Sequence, residues 1–151
     1  MDQRDAALGV WHAARAASGN EPDPQRIRRV REKLDDPSAR LALVQRGDET
    51  VGMALAEPFR EDDGLGSIRP GWAHISMVFV HPDHQGVGVG TELLSRLLDG
   101  DRWTHASVWT RETNARAQRL YRSTGFVPTG ELGSVGGGQL TRRWERSGRS
   151  G

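Results

Sequence analysis

Apolar residues recur at helical spacing in two stretches near the start of the chain. The first repeats at i, i+3, i+4 and i+7, which is one face of a helix, and comprises Ala7, Val10, Trp11 and Ala14. Ser18-Gly19-Asn20 is predicted to end it. The second follows Pro22 and Pro24, stops at Asp35-Asp36-Pro37 and comprises Ile27, Val30 and Leu34. The pattern therefore predicts two amphipathic helices in succession.

The pattern then changes to short apolar runs, which are typical of strands. Arg40–Val44 and Thr50–Ala56 predict an antiparallel hairpin that turns at Arg46–Glu49. The stretch Arg60–Gly71 is polar and contains glycines and a proline, so a loop is predicted there. Trp72–Val80 is almost continuously apolar, as expected of a strand that is covered on both faces.

The second half of the chain alternates helices and strands. A helix is predicted to begin near Val89 and stop at Gly100-Asp101, and a strand follows over His105–Thr110. The next helix is capped by Asn114 and ends at Gly125, after which Phe126-Val127 opens a strand. A glycine-rich turn over Gly133–Gly138 leads to the last strand, Gln139–Trp144. The resulting order, α α β β β α β α β β, predicts an α+β fold with one parallel element in an otherwise antiparallel sheet.

The composition fits one domain and excludes several kinds of chemistry. The chain has 151 residues, 35% hydrophobic and 27% charged, and is predicted to form one domain over residues 1–146 with a disordered tail at 147–151. It has no cysteine, which excludes disulfides, thiolate metal sites and cysteine nucleophiles, and the single lysine, Lys33, lies in a polar run that disfavours Schiff-base chemistry. A net charge of +1 argues against nucleic-acid binding, and no stretch approaches the ~20 apolar residues of a membrane span. The charged N-terminus lacks the apolar run of a signal peptide, so a cytoplasmic location is expected.

A glycine-rich loop, Gln85-Gly86-Val87-Gly88-Val89-Gly90, joins the predicted central strand to the helix that follows. The first turn of a helix offers free N–H groups and a partial positive charge, and glycines let a phosphate approach the backbone. A dinucleotide-binding Gly-x-Gly-x-x-Gly pattern fails, because Thr91 and Leu93 stand where its last glycine would be. A Walker loop fails because no lysine follows the glycines. The pattern Gln/Arg-x-x-Gly-x-Gly/Ala matches throughout.

The loop with its flanks, Val78–Leu94, resembles the acetyl-CoA motif of the GCN5-related N-acetyltransferases (GNAT). A second segment, Asn114–Phe126, is similar to the Asn-x-x-Ala-x-x-Leu-Tyr-x-x-x-Gly-Phe helix of the same family. The resemblance implies a three-layer GNAT fold, in which helices cover both faces of a mostly antiparallel sheet around a splayed parallel pair of strands. It also implies that an acetyl group passes from acetyl-CoA to a primary amine by direct attack in a ternary complex, without a metal.

The same resemblance assigns roles to individual positions. The backbone of Val78, Phe79 and Val80 would bind the pantetheine arm, and an N–H of Phe79 or Val80 would stabilise the oxyanion. The loop amides would hold the pyrophosphate, so the expected cofactor-binding positions are Val78, Phe79, Val80, Gln85, Gly86, Val87, Gly88, Val89, Gly90, Thr91, Asn114 and Tyr121. Asn114 is equally explained as a helix N-cap. Tyr121 matches the general acid of the family, and its alternative role is a core aromatic under the sheet.

Parts of the mechanism stay open because the sequence departs from the family pattern. Trp109 stands where many relatives have a glutamate base, which leaves Glu57, Glu112 and a water chain as candidates. His81 and His84 lack a partnered carboxylate pattern and are interpreted as two turn histidines, so no metal is expected.

The expected partners follow from the same comparison. Relatives usually begin with a strand before the first helix, and Met1–Asp5 leaves too little chain for one, so either the start is truncated or the sheet lacks that strand. If the sheet lacks it, Leu41–Val44 would be a sheet edge that is able to pair with a second copy of the chain in a homodimer. The acceptor is either a small-molecule or a peptide amine, and neither nucleic acid nor a membrane is expected. The alternative function is a catalytically weak or inactive GNAT-fold module that senses acyl-CoA, which Trp109 favours and Tyr121 disfavours.

Overall fold

The computed structural model describes residues 2–19, 23–135 and 138–147. Within these residues, four α-helices and six strands follow one another in the predicted order. In chain order they are α1 (Gln3–Ala17), α2 (Pro24–Asp35), β1 (Arg40–Arg46), β2 (Glu49–Arg60), β3 (Ile68–Val80), α3 (Val89–Leu97), β4 (His105–Arg111), α4 (Ala115–Ser123), β5 (Val127–Val135) and β6 (Gln139–Ser147). Short 3₁₀ turns at Asp62–Gly64 and Pro82–His84 lie in the connections.

The strands form one mixed sheet in the order β1-β2-β3-β4-β6-β5. Strands β3 and β4 pair in parallel over Trp72–Ile75 and His105–Val108, and α3 lies in the crossover between them. The pairs β1/β2, β4/β6 and β5/β6 are antiparallel. The predicted α+β class with one parallel element is therefore confirmed. In the described part of the chain no strand precedes α1, and β1 lies at one end of the sheet order, as predicted.

The chain divides into two compact units, each of which is described by itself. The first unit consists of Met1–Ala56 and Met77–Asp99, and the second consists of Glu57–Ser76 and Gly100–Gly151. No helix in the described residues combines the length and the apolar character that crossing a membrane requires.

The core of the first unit forms between its two N-terminal helices and the adjoining strands. The predicted stripes supply half of the cluster's buried members, which are Ala7, Leu8, Val10, Trp11, Val30, Met53, Leu55 and Met77. Asp2 and Asp23 cap α1 and α2, each accepting a hydrogen bond from a backbone N–H in the first turn, and Pro24 starts α2. Sequence patterning therefore decides these two helices, because spacing, caps and the proline all agree.

The hairpin between β2 and β3 is longer than the sequence predicts. The loop predicted over Arg60–Gly71 is wrong at both ends, since β2 continues through Arg60 and β3 begins at Ile68. Contacts of the Arg69 side chain, across the hairpin to Glu61 and Phe59 and along β3 to Trp72, accompany the extension. The Arg69 guanidinium is 2.6 Å from the carboxylate of Glu61, and it lies over the rings of Phe59 and Trp72 at 4.5 and 4.8 Å.

The last strand completes the second unit. β6 pairs with β4 from Arg111↔Thr141 to His105↔Ser147, so Ser147 is a strand residue. The other residues of the predicted tail, 148–151, lie outside the described residues. Beside these strands, the buried side chains of Tyr121, Phe126 and Trp144 form part of the apolar interior of this unit.

Candidate functional site

The glycine loop of the first unit has a backbone that requires its glycines. The N–H of His81 donates to the carbonyl of Val51 at 2.8 Å, which fixes the end of β3 before the loop. Gly86 and Gly88 then adopt φ of 80° and 88°, in the left-handed region that other residues rarely occupy. A Cβ atom on either glycine would meet nothing within 4 Å. The glycines therefore serve backbone conformation, and the space over the loop is open.

Helix α3 holds its N-terminus toward this open space. Gly88 is its N-cap and supplies no side-chain hydrogen bond, so the first-turn amides are left for another acceptor. Four apolar side chains anchor the helix below, namely Val89, Leu93, Leu94 and Leu97, each 0 to 1% exposed. The close fit is evident at Gly52, where a Cβ would lie 2.6 Å from Cγ1 of Val89. The loop is thus rigidly supported on one side and exposed on the other, which fits a phosphate-bearing ligand.

One feature of the first turn opposes anion binding and is compensated. Glu92 places a carboxylate there, but both of its oxygens bind guanidinium groups. Arg46 lies 3.0 Å from one oxygen and Arg96 lies 3.0 Å from the other. The local charge of these three side chains is positive, so the helix N-terminus keeps its attraction for a phosphate.

The strand residues before the loop are half-buried. Val78, Phe79 and Val80 all have intermediate exposure, and the ring of Phe79 packs against the helix core of the first unit. Side-chain packing is therefore present at this position. Such packing is compatible with the expected role, because pairing with a pantetheine arm would use backbone groups only.

In the second unit, Asn114 forms the predicted N-cap of α4. Its Oδ1 accepts a hydrogen bond from the N–H of Ala117 at 3.0 Å, which is the geometry of a helix N-cap. The Gln118 amide then donates to the carbonyls of Arg111 and Glu112 at 3.2 and 2.8 Å. The turn into α4 is therefore well determined, and the capping interpretation of Asn114 is confirmed.

Tyr121 is buried on α4 and packs as a core aromatic. Its ring meets that of Phe126 edge-on, with 5.5 Å between the centroids, and its side chain is 5% exposed. Burial raises the pKa of the Tyr121 phenol above its ordinary value, because the phenolate would lose solvation. The phenol is consequently protonated, and able to donate, across the physiological range.

The two carboxylates that are candidates for the base lie in different surroundings. Glu112 is engaged, since its Oε1 accepts a hydrogen bond from Arg142 at 2.6 Å. Glu57 is half-buried on β2. Trp109, at the position of the family glutamate, is 36% exposed and lies beside Gly133, where a Cβ would be 3.2 Å from the ring. Gly133 belongs to β5, so the turn predicted over Gly133–Gly138 is wrong at its start.

The second unit also carries an aromatic and arginine cluster that the sequence did not indicate. Trp72 stacks on His105 at 4.7 Å, and the Phe59 ring lies 5.9 Å from that of Trp72. Arg69 and Arg143 both lie over Phe59, at 4.5 and 5.7 Å. Arg143 contacts the carboxylates of Glu131 and Glu145, yet its Nη1 is buried without a hydrogen-bond partner. These positions come from four strands, so they can be found only once the sheet register is known.

Comparison with known proteins gives matches over most of the chain. A family model described as the acetyltransferase (GNAT) family matches residues 8–126. The L-amino acid N-acyltransferase MnaT of Escherichia coli is 47% identical over 62 residues, which are 39% of this chain and 36% of that protein. The mycothiol acetyltransferase of Nocardiopsis dassonvillei is 30% identical over 129 residues, which are 85% of this chain and 36% of that protein. The chain thus spans little more than a third of the length of these curated relatives.

Solved structures share the fold. The ribosomal-protein-alanine N-acetyltransferase of Brucella melitensis superposes with a TM-score of 0.73 at 20% identity, over 97% of this chain and 96% of that one. The protein yncA of Salmonella typhimurium, solved with its cofactor acetyl-CoA, superposes with a TM-score of 0.73 at 22% identity, over 100% of this chain and 92% of that one. With the family model covering more than half of its residues, the chain belongs to the acetyltransferase (GNAT) family.

Proposed function

We propose that the protein is an N-acetyltransferase that moves the acetyl group of acetyl-CoA to a primary amine by direct attack in a ternary complex. The observation that carries the proposal is the glycine loop, whose left-handed Gly86 and Gly88 open the N-terminus of α3. Family membership and the acetyl-CoA of the Salmonella protein support the choice of donor.

The donor would be held mainly by backbone groups. The amides from Gly86 to Thr91 would bind the pyrophosphate, and the backbone of Val78–Val80 would pair with the pantetheine arm. The open space over the loop and the neutralised Glu92 carboxylate both support this role. Asn114 uses Oδ1 for its cap, which leaves its Nδ2 group to donate toward the cofactor.

Tyr121 would donate a hydrogen bond to the sulfur as it leaves. Thiols have an ordinary pKa of ~8.5 and phenols of ~10, and burial raises the pKa of Tyr121 further. Complete proton transfer from this phenol is therefore more costly than from an exposed one, and partial donation in the transition state is its best use. An N–H of Phe79 or Val80 would stabilise the oxyanion.

The base would be Glu57 or a water chain. Glu112, the third candidate, is paired with Arg142. An alkylammonium acceptor has a pKa of ~10 and must lose a proton before it attacks. Trp109, which stands in place of the family glutamate, would instead line the acceptor site.

The acceptor would be a cationic amine, from a small molecule or a peptide. The ion pairs of the aromatic cluster set three carboxylates, those of Glu61, Glu131 and Glu145, against the guanidinium groups of Arg69 and Arg143. The excess of one carboxylate over these guanidinium groups favours a cation. The acceptors that the relatives' names print, an L-amino acid and a ribosomal-protein alanine, both present an amine.

A thiol-release screen tests the proposal. Purified protein is incubated with acetyl-CoA and a panel of amines, and free CoA is followed with a thiol reagent, for which a chain without cysteines gives no background. We expect release that depends on at least one amine and a matching acetylated product by mass spectrometry. Tight CoA binding with no transfer to any amine would favour the second candidate function, an acyl-CoA sensor, for which the observation is Trp109 at the position of the base.

A further inference from the structure

Two histidines and one carboxylate come together in the first unit, next to the glycine loop but outside the proposed donor contacts. Nε2 of His81 lies 3.7 Å from Oε1 of Glu49, and Nε2 of His84 lies 3.7 Å from Oε2 of the same carboxylate. One potential ligand atom from each residue lies within 4.8 Å of the other two. We propose that this Glu49–His81–His84 cluster binds a first-row divalent cation, with Zn²⁺ as the preferred ion.

The fold places the three side chains together for identifiable reasons. Arg46 pairs with Glu49 across a tight turn, so Glu49 begins β2. The hydrogen bond from His81 N–H to the carbonyl of Val51 sets the start of the 3₁₀ turn beside the same strand. His81 caps this turn and His84 is its last residue, and the centroids of the two imidazole rings are 5.8 Å apart. Glu49 is thus brought to His81 and His84, which are far from it in sequence, by the pairing of the strands.

The ligand set and its spacing suit zinc. Two imidazoles and one carboxylate are a common set of three protein ligands, with water completing the coordination. Ligands at ~2.0–2.1 Å from a tetrahedral zinc are about 3.4 Å apart. The two 3.7 Å distances run to different oxygens of Glu49, and one ligand atom from each residue lies within 4.8 Å of the others, so binding needs side-chain shifts of up to about 1.4 Å. The imidazoles are 24% and 28% exposed and the carboxylate 55%, so an ion can enter and keep water.

Asp83 is the nearest candidate for an outer contact to such a site, and its carboxylate would have to move closer to His81 to form a hydrogen bond. A metal on Nε2 of His81 needs the ring proton on Nδ1, and the Asp83 carboxylate lies 3.9 Å from that nitrogen. Without metal, Nδ1 accepts a long hydrogen bond of 3.2 Å from the Asp83 N–H, which binding would replace.

Zinc titration of the full chain, free of any affinity tag and previously treated with a chelator, tests the proposal. We expect one zinc per chain by calorimetry and no comparable binding of Mg²⁺, which prefers oxygen ligands. His81→Ala, His84→Ala and Glu49→Gln should each weaken zinc binding at least about tenfold, since even outer-shell losses cost about that much. His12→Ala and Asp48→Asn, which change exposed residues outside the cluster, are the matched controls and should leave the affinity unchanged.

Histidine NMR of the unaltered chain gives a measurement that does not depend on the folding of any variant. The chain has five histidines, and zinc should shift the ring ¹⁵N resonances of His81 and His84 alone. Saturating zinc should also raise the melting temperature, because it binds the folded state, and it should not do so in His84→Ala. The proposal would be overturned if all three cluster variants bound zinc as tightly as the unaltered chain, or if zinc shifted the resonances of other histidines instead. Because no CoA is present, this result is independent of acetyl transfer.

Discussion

At the scale of single residues, environment decides what a side chain can do. Tyr121 falls at the motif position of a general acid, and it packs in the core against Phe126, so the core role is observed and the acid role is our proposal. Glu112, a candidate base by sequence, is held by Arg142. The identity of a residue therefore proposes its chemistry, and its partners in space select among the proposals.

Replacing Tyr121 by Phe should lower kcat about 10²-fold or more while changing the KM for acetyl-CoA much less. The ring and its packing remain, so the melting temperature should stay close to that of the parent. Steady-state kinetics with the best amine of the screen provides the measurement, and an unaltered kcat would remove Tyr121 as the acid. Since burial raises the pKa of Tyr121, phenol ionisation should cause no loss of activity up to its ordinary pKa of ~10.

At the scale of elements, the loop and α3 act together. The glycines set a left-handed entry, and Val89 and Leu93 fix the helix against β2 at Gly52. The anion-binding end is thus rigid before any ligand arrives, which lowers the entropic cost of binding.

Gly88→Glu and Gly88→Gln form a matched pair for the loop. Both side chains impose the same strain at φ 88° and have nearly the same size, and only the first adds a charge. We expect the Gly88→Glu variant to bind CoA at least about tenfold more weakly than the Gly88→Gln variant, because the carboxylate would face the pyrophosphate. Equal affinities by calorimetry would show that the pyrophosphate lies elsewhere.

Gly52→Ala should test how α3 is supported. The new Cβ would lie 2.6 Å from Cγ1 of Val89 and 3.0 Å from Cδ1 of Leu93, so overpacking should cost about 1–3 kcal/mol of unfolding free energy. Adding Val89→Ala should remove the clash. In urea titrations, the double variant should therefore lose less unfolding free energy than the two single variants lose together, by at least about 0.5 kcal/mol. The control is Gly9→Ala on α1, where a Cβ meets nothing within 4 Å and stability should rise by up to about 1 kcal/mol. Additive effects in the double variant would argue against the contact.

At the scale of the whole molecule, one mixed sheet carries the motifs that the sequence separates. β6 lies between β4 and β5 in the sheet order, so the second unit depends on the last described strand. At the other end of the sheet order lies β1, where the Leu43 carbonyl accepts a hydrogen bond from the Arg96 guanidinium at 2.5 Å. A side chain on an edge carbonyl reduces the tendency of that edge to pair with another chain.

Two shortened chains test the extent of β6. A chain that ends after Trp144 loses the register pairs Ser107↔Glu145, Ala106↔Arg146 and His105↔Ser147, whereas a chain that ends after Ser147 keeps them. We expect the shorter chain to melt at least about 4 °C below the longer one in calorimetry. Coincident melting of the two would mean that the strand contributes nothing beyond Trp144, where the apolar pattern alone ends it.

The sequence by itself determined the order of elements, both N-terminal helices, the glycine loop and the family motifs. These features depend on local spacing, such as Val10 and Trp11 on one face of α1, or on a backbone state that only glycine accepts readily, as at Gly88. Motif positions such as Asn114 and Tyr121 could be placed on their helix for the same reason.

Only the tertiary structure decided which side chains meet across the sheet. Arg69 extends a hairpin that the sequence predicts as a loop, and Glu49 joins His81 and His84, which had no carboxylate partner in the sequence pattern. Both contacts depend on strand register, where a shift of one residue turns every side chain to the other face. The glycine loop could be predicted because it is a local motif. The aromatic cluster and the candidate zinc site could not be predicted, because the spacing of residues along the chain does not specify strand register.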